Sequence, residues 1–348
     1  MSNNLPFVSI IMPIRNEEEF ISKSLISILN QNYPSNLMEI IVVDGRSTDK
    51  TKEIVLKFIE ETKTHKILLL DNPFKIVPFA LNIGIKCAKG DIIIRVDGHC
   101  EIQPDYIKRC VECLKKTGAD CVGGVIEAIG MTYLAKAIGL AQSSVFGVGD
   151  SIFRIGTKKG KYVATLAFGA YLRDIFERIG YFDEELVCNQ DDEFNYRLIQ
   201  AGGKIYLEPS IKTIYYCRTN LKDLAKQYFR YGFWKVRVFQ KRGKIISYRH
   251  IVPSIFVLGL LVSVILSIVM RTTLYFFIVF IPYLITNLFF SILANYKDIS
   301  TLFLLPFCYF TIHFSYGLGF LFGLWKFRRY GFGFFKLNKR KRYNERGI

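Results

Sequence analysis

The stretch Asp91-Ile-Ile-Ile-Arg-Val-Asp-Gly-His99 decides the fold class, because it joins a buried-strand pattern to an acidic turn. Three similar apolar strands precede it, and helical patterns separate them. The strands are Phe7–Met12, Met38–Val43 and Lys66–Leu70, and the helices are Glu18–Asn30, Lys50–Glu61 and Ile76–Ala88. Near-continuous Val and Ile strands that alternate with helices predict an α/β fold with a parallel sheet covered on both faces.

Polar residues follow each of these four strands. They form the segments Pro13–Asn16, Asp44–Ser47, Asp71–Asn72 and Asp97–His99. Ligands of parallel sheets bind at the carboxyl ends of the strands. The sequence therefore predicts that four polar loops converge on one crevice.

The acidic turn has the composition of a metal site. Asp97 and His99 are two residues apart at a strand end, so both can turn toward a divalent metal, Mn²⁺ or Mg²⁺, that neutralises a nucleotide diphosphate. Imidazole suits Mn²⁺ better than Mg²⁺, so His99 favours manganese. The alternative is a turn in which Asp97 only caps backbone amides.

A second acidic cluster, Asp191-Asp192-Glu193, opens a segment with helical spacing. One of these carboxylates can take the proton of an attacking hydroxyl group. The alternative is capping of the helix N-terminus, and both roles can coexist. A metal-and-phosphate motif combined with a general base indicates a transferase that uses a nucleotide-sugar donor.

Other residues are assigned to the donor and acceptor sides of this crevice. Asp44 ends the second strand, where a carboxylate can hydrogen-bond a base or ribose; Asp71 is placed similarly, or is a solvated turn residue. The donor side also includes Pro13, Arg15, Glu17 and Lys75, of which Arg15 and Lys75 can assist the phosphates. The acceptor side includes Asp192, Glu193, Gln227, Arg230 and Trp234, where Arg can pair with phosphate and an aromatic ring can stack on sugar. A juxtamembrane anchor is the alternative for the last three.

The last third of the 348-residue chain is strongly apolar. Its runs 251–270, 274–294 and 301–325 approach or exceed the roughly 20 residues that span hydrocarbon. Basic segments before and after these runs, and the net charge of +17, favour contacts with anionic membrane lipids. No nucleic-acid-binding module accompanies the charge, so we expect no nucleic-acid partner. We predict a multi-pass protein of the cell membrane with a cytoplasmic catalytic domain.

The predicted domains are residues 1–240, with a donor half at about 5–100 and an acceptor half at about 101–240, and a membrane domain at 241–348. Three crossings would place the two basic segments on opposite sides, which the positive-inside rule disfavours. Pro306 and the glycines at 317, 319 and 323 could let the third run turn back or lie shallow. The amphipathic stretch Tyr133–Phe146 is either a bilayer-surface helix or a core helix.

Several runs resemble inverting glycosyltransferase family 2, especially its succinoglycan-type exopolysaccharide branch. They are V-S-I-I-M-P-I-R-N-E-E, V-V-D-G-R-S-T-D, R-V-D-G-H and N-Q-D-D-E-F-N-Y-R-L, with A-F-G-A-Y-x-R at Ala167–Arg173 and Q-Y-x-R-Y-G-x-W-K at Gln227–Lys235. The resemblance covers roughly residues 5–240. It implies a GT-A fold, usually a UDP-sugar donor, and inversion at the anomeric carbon.

The resemblance also implies roles for single residues. Asp44 would hold the nucleoside, Asp97 with His99 the metal and diphosphate, and Asp191 would be the catalytic base. Gln227 and Arg230 would match part of the Q-x-x-R-W element on the acceptor side. The chain departs from the family pattern at Gly45, His99, Gln190 and Tyr231, which stand in place of an Asp, an Asp, a Glu and a Trp.

We therefore expect a membrane-anchored transferase that adds one sugar at a time to a lipid-linked saccharide in polysaccharide or glycolipid synthesis. One rival is a polyprenyl-phosphate sugar synthase, whose acceptor is already ionised. A processive synthase is disfavoured by the few apolar runs and by Tyr231. A catalytically inactive scaffold for a glycan assembly complex is the rival of another class.

Overall fold

The computed structural model describes residues 5–243, 248–295 and 298–330. The chain divides into two compact units. The first contains residues 1–128 and 152–216, and the second contains residues 129–151 and 217–348. The predicted domain boundary at residue 240 stays a prediction.

The N-terminal half of the first unit alternates strands with helices. In chain order these are β1 (Val8–Ile14), α1 (Ile21–Leu29), β2 (Met38–Asp44), α2 (Thr51–Glu61), β3 (Lys66–Asp71), α3 (Val77–Cys87) and β4 (Ile92–Arg95). β1 lies between β2 and β4, β3 pairs with β2, and all three pairings are parallel. Every residue of β1 and β2 is buried, because helices cover both faces of the sheet. The predicted α/β fold is confirmed.

The rest of the chain adds antiparallel strands and more helices. In order they are β5 (Cys100–Ile102), α4 (Tyr106–Thr117), β6 (Cys121–Ile129), α5 (Tyr133–Gln142), α6 (Val145–Val148), α7 (Ile152–Ile155), β7 (Lys161–Tyr162), β8 (Ala170–Leu172), α8 (Asp174–Ile179), α9 (Gln190–Gln200), β9 (Ile205–Tyr216), α10 (Leu221–Arg242), α11 (Val252–Val269), α12 (Leu274–Asn295) and α13 (Ile299–Lys326). The sheet order is β3-β2-β1-β4-β8-β6-β9-β5, with β7 paired to β9. β8 is antiparallel to both β4 and β6. A parallel half therefore continues into an antiparallel half.

The charged side chain of Glu39 lies inside strand β2, which is flanked by β1 and β3. The carboxylate of Glu39 is fully buried, and its Oε1 accepts hydrogen bonds from Ser9 Oγ at 2.7 Å and from the Lys89 amide at 2.6 Å. Its Oε2 accepts from Lys66 Nζ at 3.0 Å. Ser9 Oγ in turn accepts from the amide of Gly90 at 2.7 Å. This network ties β1 and β3 to the segment that enters β4.

The second unit contains three helices long and apolar enough to cross a membrane. They are α11, α12 and α13, with mean hydropathy of 2.7, 2.2 and 1.3. They correspond to the three apolar runs of the sequence, and α10 packs along α13. Within the described ranges, the existence of three candidate spans is therefore confirmed.

The glycines of α13 serve close packing between helices. α13 is one continuous helix through Pro306, so the hypothesis that the third run turns back is wrong. A Cβ at Gly319 would collide with the carbonyl oxygen of Phe229 on α10, and one at Gly323 would lie 2.6 Å from the carbonyl oxygen of Phe233. Hydrogen in place of a side chain thus lets the two helix backbones approach each other. Whether α13 lies shallow stays a prediction.

The amphipathic stretch Tyr133–Phe146 forms the short helix α5 and the first half of α6. The buried face of α5 packs on α13 within the second unit, as the core-helix interpretation expects. Phe146 stacks on Phe290 of α12 with ring centroids 4.7 Å apart. Met131, Tyr133 and Val145 expose their side chains, and contact of this segment with a bilayer stays a prediction.

Candidate active site

The carboxyl ends of the parallel strands meet at one edge of the sheet. In the strand register Ile14 is opposite Asp44, and Asp44 is opposite Asp71. The loops after β1 and β2 are hydrogen-bonded to each other, and the loop after β1 also reaches the turn after β4. The predicted convergence of polar loops is confirmed at this edge.

Asp44 is held in the loop after β2. It is buried, and its Oδ1 accepts hydrogen bonds from Ser47 Oγ at 2.6 Å and from the Ser47 amide at 3.1 Å. The amide of Asn16, whose φ is +56°, donates to Ser47 Oγ at 2.9 Å. Asn16 Oδ1 accepts from the Thr48 amide at 2.9 Å. Asn16 and Ser47 thus lock two loops together, a role that their sequence positions did not reveal.

The remaining donor-side residues differ in exposure. Asp71 is exposed and pairs with Arg46 at 3.3 Å, so its carboxylate is at least partly used as a surface ion pair. Arg15 and Lys75 are exposed, and Lys75 has a φ of +67° in the turn before α3. Pro13 is buried in β1 opposite Val43 and has no polar side chain to offer. Their assignments to the donor stay predictions.

Asp97 is engaged by an arginine two residues earlier. Arg95 Nε donates to Asp97 Oδ1 at 2.7 Å and its Nη2 donates to Oδ2 at 2.9 Å, which is a bidentate pair. Burial alone would lower the pKa of the Arg95 guanidinium, but the carboxylate of Asp97 and then that of Asp191 raise it above its ordinary value. Arg95 therefore carries a permanent positive charge at the acidic turn. A lone cation in an otherwise apolar strand was the sequence signal for it.

His99 is held by Glu17 from the loop after β1. The distance from His99 Nδ1 to Glu17 Oε1 is 2.8 Å. A carboxylate at such a distance accepts, so we assign a proton to Nδ1. The edge of the His99 ring also meets Tyr215 of β9, with centroids 5.2 Å apart. The imidazole is therefore oriented from two sides.

Asp191 lies in the first turn of α9, near Arg95. The helix begins after Asn189, whose φ is +62°, and Asp191 Oδ1 accepts the Asp192 amide at 2.9 Å. The negative charge of Asp97, together with that of Asp191, raises the pKa of the Arg95 guanidinium. The predicted helix is confirmed, and the role of Asp191 as the base stays a prediction.

The position of α9 depends on a residue that sequence reasoning missed. Asn195 is fully buried and its Nδ2 donates to the carbonyl oxygen of Leu166 at 3.0 Å. Its Oδ1 accepts from the hydroxyl group of Tyr171 on β8 at 2.9 Å. Asn195 is one helical turn after Asp191, so it fixes the helix that carries this acid.

The other two acids of the cluster have different surroundings. Glu193 is buried and accepts from Arg197 Nε at 2.7 Å and from Arg197 Nη2 at 3.0 Å. Arg197 Nη2 also donates to the carbonyl oxygen of Tyr181 at 2.7 Å. Glu193 is thus part of a pair that stabilises α9 against the preceding loop. Asp192 is half-buried, and the acceptor-side assignments of both stay predictions.

Gln227, Arg230 and Trp234 lie on α10 in the second unit. Gln227 Nε2 donates to the hydroxyl group of Tyr231 at 3.0 Å. Arg230 is exposed, and the ring of Trp234 lies 5.6 Å from that of Phe327. These contacts fix Gln227 and Trp234 within their own unit, and an acceptor role of the three residues stays a prediction.

The donor set of the acidic turn fits a metal held by two protein ligands. In the part of the chain that the structure describes, no group of three or more His, Cys, Asp or Glu side chains could hold a metal ion. Asp97 and His99 can supply two ligands, because carboxylate oxygens that accept from Arg95 retain further lone pairs. A nucleotide diphosphate and water commonly complete such a site. The fit is therefore to a metal shared with a substrate.

The parallel strands, the acidic turn and the antiparallel half with an acid on a helix together form a GT-A fold. Residues 9–180 match the family described as Glycosyl transferase family 2. The chain belongs to glycosyltransferase family 2, and it is a glycosyltransferase.

Two curated relatives and one solved structure place the chain further. A Methanococcus voltae protein, dolichyl N-acetyl-alpha-D-glucosaminyl phosphate 3-beta-D-2,3-diacetamido-2,3-dideoxy-beta-D-glucuronosyltransferase, is 33% identical over 68% of this chain and 74% of its own. Succinoglycan biosynthesis protein ExoA of Rhizobium meliloti (strain 1021) is 33% identical over 70% and 73%. Mannosyltransferase PcManGT from Pyrobaculum calidifontis, solved with GDP-Man and Mn²⁺, superposes with a TM-score of 0.61 at 17% identity, over 93% of this chain and 88% of that one. This last likeness shows the fold alone.

Proposed function

We propose that this protein transfers one sugar from a nucleotide-diphosphate donor, expected to be a UDP-sugar, to a hydroxyl group of a lipid-linked saccharide, with inversion at the anomeric carbon. The observation that carries the proposal is the grouping of Asp97, Arg95 and Asp191 at the carboxyl edge of the sheet. Inverting transfer needs a site for a leaving diphosphate beside a base for the acceptor, and these residues offer both.

The donor side is assigned to the loops that meet at this edge. Asp44 accepts hydrogen bonds from its own loop, so its position is fixed before a nucleoside binds. Asp97 and His99 would hold a divalent metal, Mn²⁺ or Mg²⁺, on the diphosphate. When bound, such an ion supplies the positive charge that a departing diphosphate needs.

The acceptor side is assigned to Asp191. Its carboxylate would take the proton of the acceptor hydroxyl as that oxygen attacks the anomeric carbon. The Arg95 guanidinium pairs with Asp97, and the charge of Asp191 also acts on it, so a fixed positive charge accompanies both acids.

A lipid-linked acceptor and a membrane location are supported by two observations. The relative from Methanococcus voltae is named for acting on a dolichyl N-acetylglucosaminyl phosphate, and the second unit contains three candidate membrane spans. We propose a multi-pass protein of the cell membrane, with the first unit in the cytoplasm, where nucleotide sugars are made. The resemblance to succinoglycan synthesis supports a role in polysaccharide or glycolipid assembly.

The test is nucleotide release by the detergent-purified full chain against a panel of UDP- and GDP-sugars, with Mn²⁺, Mg²⁺ or EDTA and a membrane lipid extract. We expect release with one donor, dependent on the metal and lost in Asp97→Ala. Release with a GDP-sugar would correct the donor base. No release with any donor would support an inactive scaffold.

The base is tested by product analysis of Asp191→Asn, with Asp174→Asn as the matched control. Asp174 is an exposed acid in the first turn of α8, so it shares the local setting of Asp191 without its partners. We expect Asp191→Asn to lose transfer to a saccharide hydroxyl by at least about 10²-fold. Near-normal transfer, or transfer to a polyprenyl phosphate instead, would favour the polyprenyl-phosphate sugar synthase.

A further inference from the structure

Glu17, an acid of the loop after β1, contacts the proposed metal ligand His99 at the acidic turn. Its Oε1 lies 2.8 Å from His99 Nδ1, and the two side chains are only 18% and 19% exposed. Because this carboxylate accepts the Nδ1 proton, Nε2 is the nitrogen through which His99 can bind a metal.

The backbone around Glu17 is fixed independently of His99. Its amide donates to Thr51 Oγ1 at 2.7 Å, and its carbonyl oxygen accepts from the Ile21 amide at 2.8 Å at the start of α1. These bonds attach Glu17 to both α1 and α2. The carboxylate is therefore presented from a rigid support, which a residue that orients another one requires.

Gly98 makes room for this contact. A Cβ at position 98 would lie 2.9 Å from Glu17 Cγ and 3.1 Å from Ile14 Cγ2. The methylene groups of Glu17 thus cross the turn between Asp97 and His99. Only glycine leaves enough space there, so the Asp-Gly-His turn and Glu17 fit each other as one unit.

We propose that Glu17 is a positioning residue that holds the His99 imidazole with Nε2 toward the divalent metal. This inference rests on the proposed function, in which His99 is a metal ligand. A carboxylate on the far nitrogen of a ligating histidine fixes the ring and raises its basicity, and its loss typically costs about 10–100-fold in metal affinity.

The experiment measures Mn²⁺ affinity from the electron paramagnetic resonance signal of the free ion, with the detergent-purified full chain and saturating UDP. The variants are Glu17→Ala, Glu17→Gln, His99→Ala and the double variant Glu17→Ala/His99→Ala. Glu19→Ala is the control, because Glu19 is an exposed acid of the same loop. We expect Glu17→Ala to bind Mn²⁺ about 10–100-fold more weakly. Glu17→Gln, which keeps an accepting oxygen and the packing on Gly98, should lose less.

The double variant separates positioning from an independent effect. If Glu17 acts through His99, Glu17→Ala should change nothing further once His99 is removed. Additive losses, or a Glu17→Ala affinity equal to that of Glu19→Ala, would overturn the inference and leave the proposed function in place. Failure of the parent protein to bind Mn²⁺ with UDP would overturn both. If Glu17→Ala has a lower Tm than the parent without metal, the test passes to Glu17→Gln. A Glu17→Gln variant with the Mn²⁺ affinity and the Mn²⁺-to-Mg²⁺ preference of the parent would then overturn the inference.

Discussion

Replacing Glu39 tests the buried network that joins β1, β2 and β3 to the segment before β4. Glu39→Ala removes the acceptor for the Ser9 hydroxyl group and for the Lys89 amide, which both bond to Oε1. Glu39→Gln keeps an accepting oxygen of the same shape and loses only the charge that pairs with Lys66. The two variants therefore separate the hydrogen bonds from the ion pair.

The magnitudes follow from the burial of each partner. Ser9 is fully buried, and a buried donor left without an acceptor costs about 1–3 kcal/mol. The side chain of Lys66 is 47% exposed, so its pair with Glu39 is worth under about 1 kcal/mol. The Lys89 amide lies near the surface, so its loss of an acceptor adds little. We therefore expect the free energy of unfolding to fall by about 3 kcal/mol in Glu39→Ala and by about 1 kcal/mol in Glu39→Gln. A domain of 150–250 residues shifts its Tm by about 2–4 °C per kcal/mol, which gives about 6–12 °C and about 2–4 °C.

The pH dependence provides a second signature. Burial alone would raise the pKa of Glu39, but the hydrogen bonds from Lys89, Ser9 and Lys66 outweigh burial and lower the pKa below its ordinary value. A group whose pKa is lowered by folding stabilises the protein above its unfolded pKa of about 4.3. That stabilisation is lost as the pH falls through the folded pKa. The Tm difference between the parent and Glu39→Gln should therefore shrink below about pH 4.

The assay is thermal unfolding of the detergent-purified chain, followed by intrinsic fluorescence at pH 7 and at a series of values below about pH 4. Glu60→Ala is the control, because Glu60 is an exposed acid on α2. Equal Tm values for Glu39→Ala and Glu39→Gln at pH 7 would refute the reasoning, because the bonds to Oε1 would then carry no free energy.

Three further outcomes are expected. Arg95→Met breaks the pair with Asp97, whose side chains are 13% and 14% exposed, so the free energy of unfolding should fall by about 3–5 kcal/mol and the Tm with it. Mn²⁺ with UDP should restore part of this loss. An unchanged Tm would contradict the importance of the pair. Asp44→Ala should weaken UDP binding by about tenfold or more in calorimetry, whereas Glu60→Ala should leave it unchanged. Gly319→Ala should lower the free energy of unfolding by about 1–3 kcal/mol, seen as a lower Tm in detergent. Gly259→Ala should leave the Tm nearly unchanged, because its new Cβ would lie at an ordinary contact distance of 3.7 Å from its nearest neighbour.

The sequence predicts what depends on strand pattern and strand ends. The strands up to β4 have near-continuous Val and Ile runs, so their parallel pairing and the meeting of their loops follow from local signals. The helix that carries Asp191 is equally local, since an acidic first turn and helical spacing coincide. These signals lie within single strands or helices, so a single amino-acid sequence is enough to predict them.

What the sequence misses depends on partners distant along the chain. Asn16 and Ser47 contact each other across 31 residues, and nothing at either position indicates the other. The glycines of α13 suggest an interrupted helix when only the local sequence is considered. In the structure they are instead the positions at which α13 packs closely against α10. Glu193 belongs to an acidic cluster that the sequence assigns to the acceptor side, but its side chain pairs with Arg197 one turn later on the same helix. A local sequence pattern cannot distinguish residues of a functional site from residues that serve helix packing or ion pairs.

The bonds that join Asn16 to Ser47 and Thr48 have a thermodynamic consequence. Both loops have their hydrogen bonds in place in the protein alone, so a nucleoside would meet a surface whose backbone has little freedom left to lose. Calorimetric binding of UDP should then show a small entropy cost, and a heat-capacity change that reflects the area of the nucleotide rather than the ordering of protein segments. The rate at which the spent nucleotide leaves these two loops should likewise follow the strength of its contacts with them.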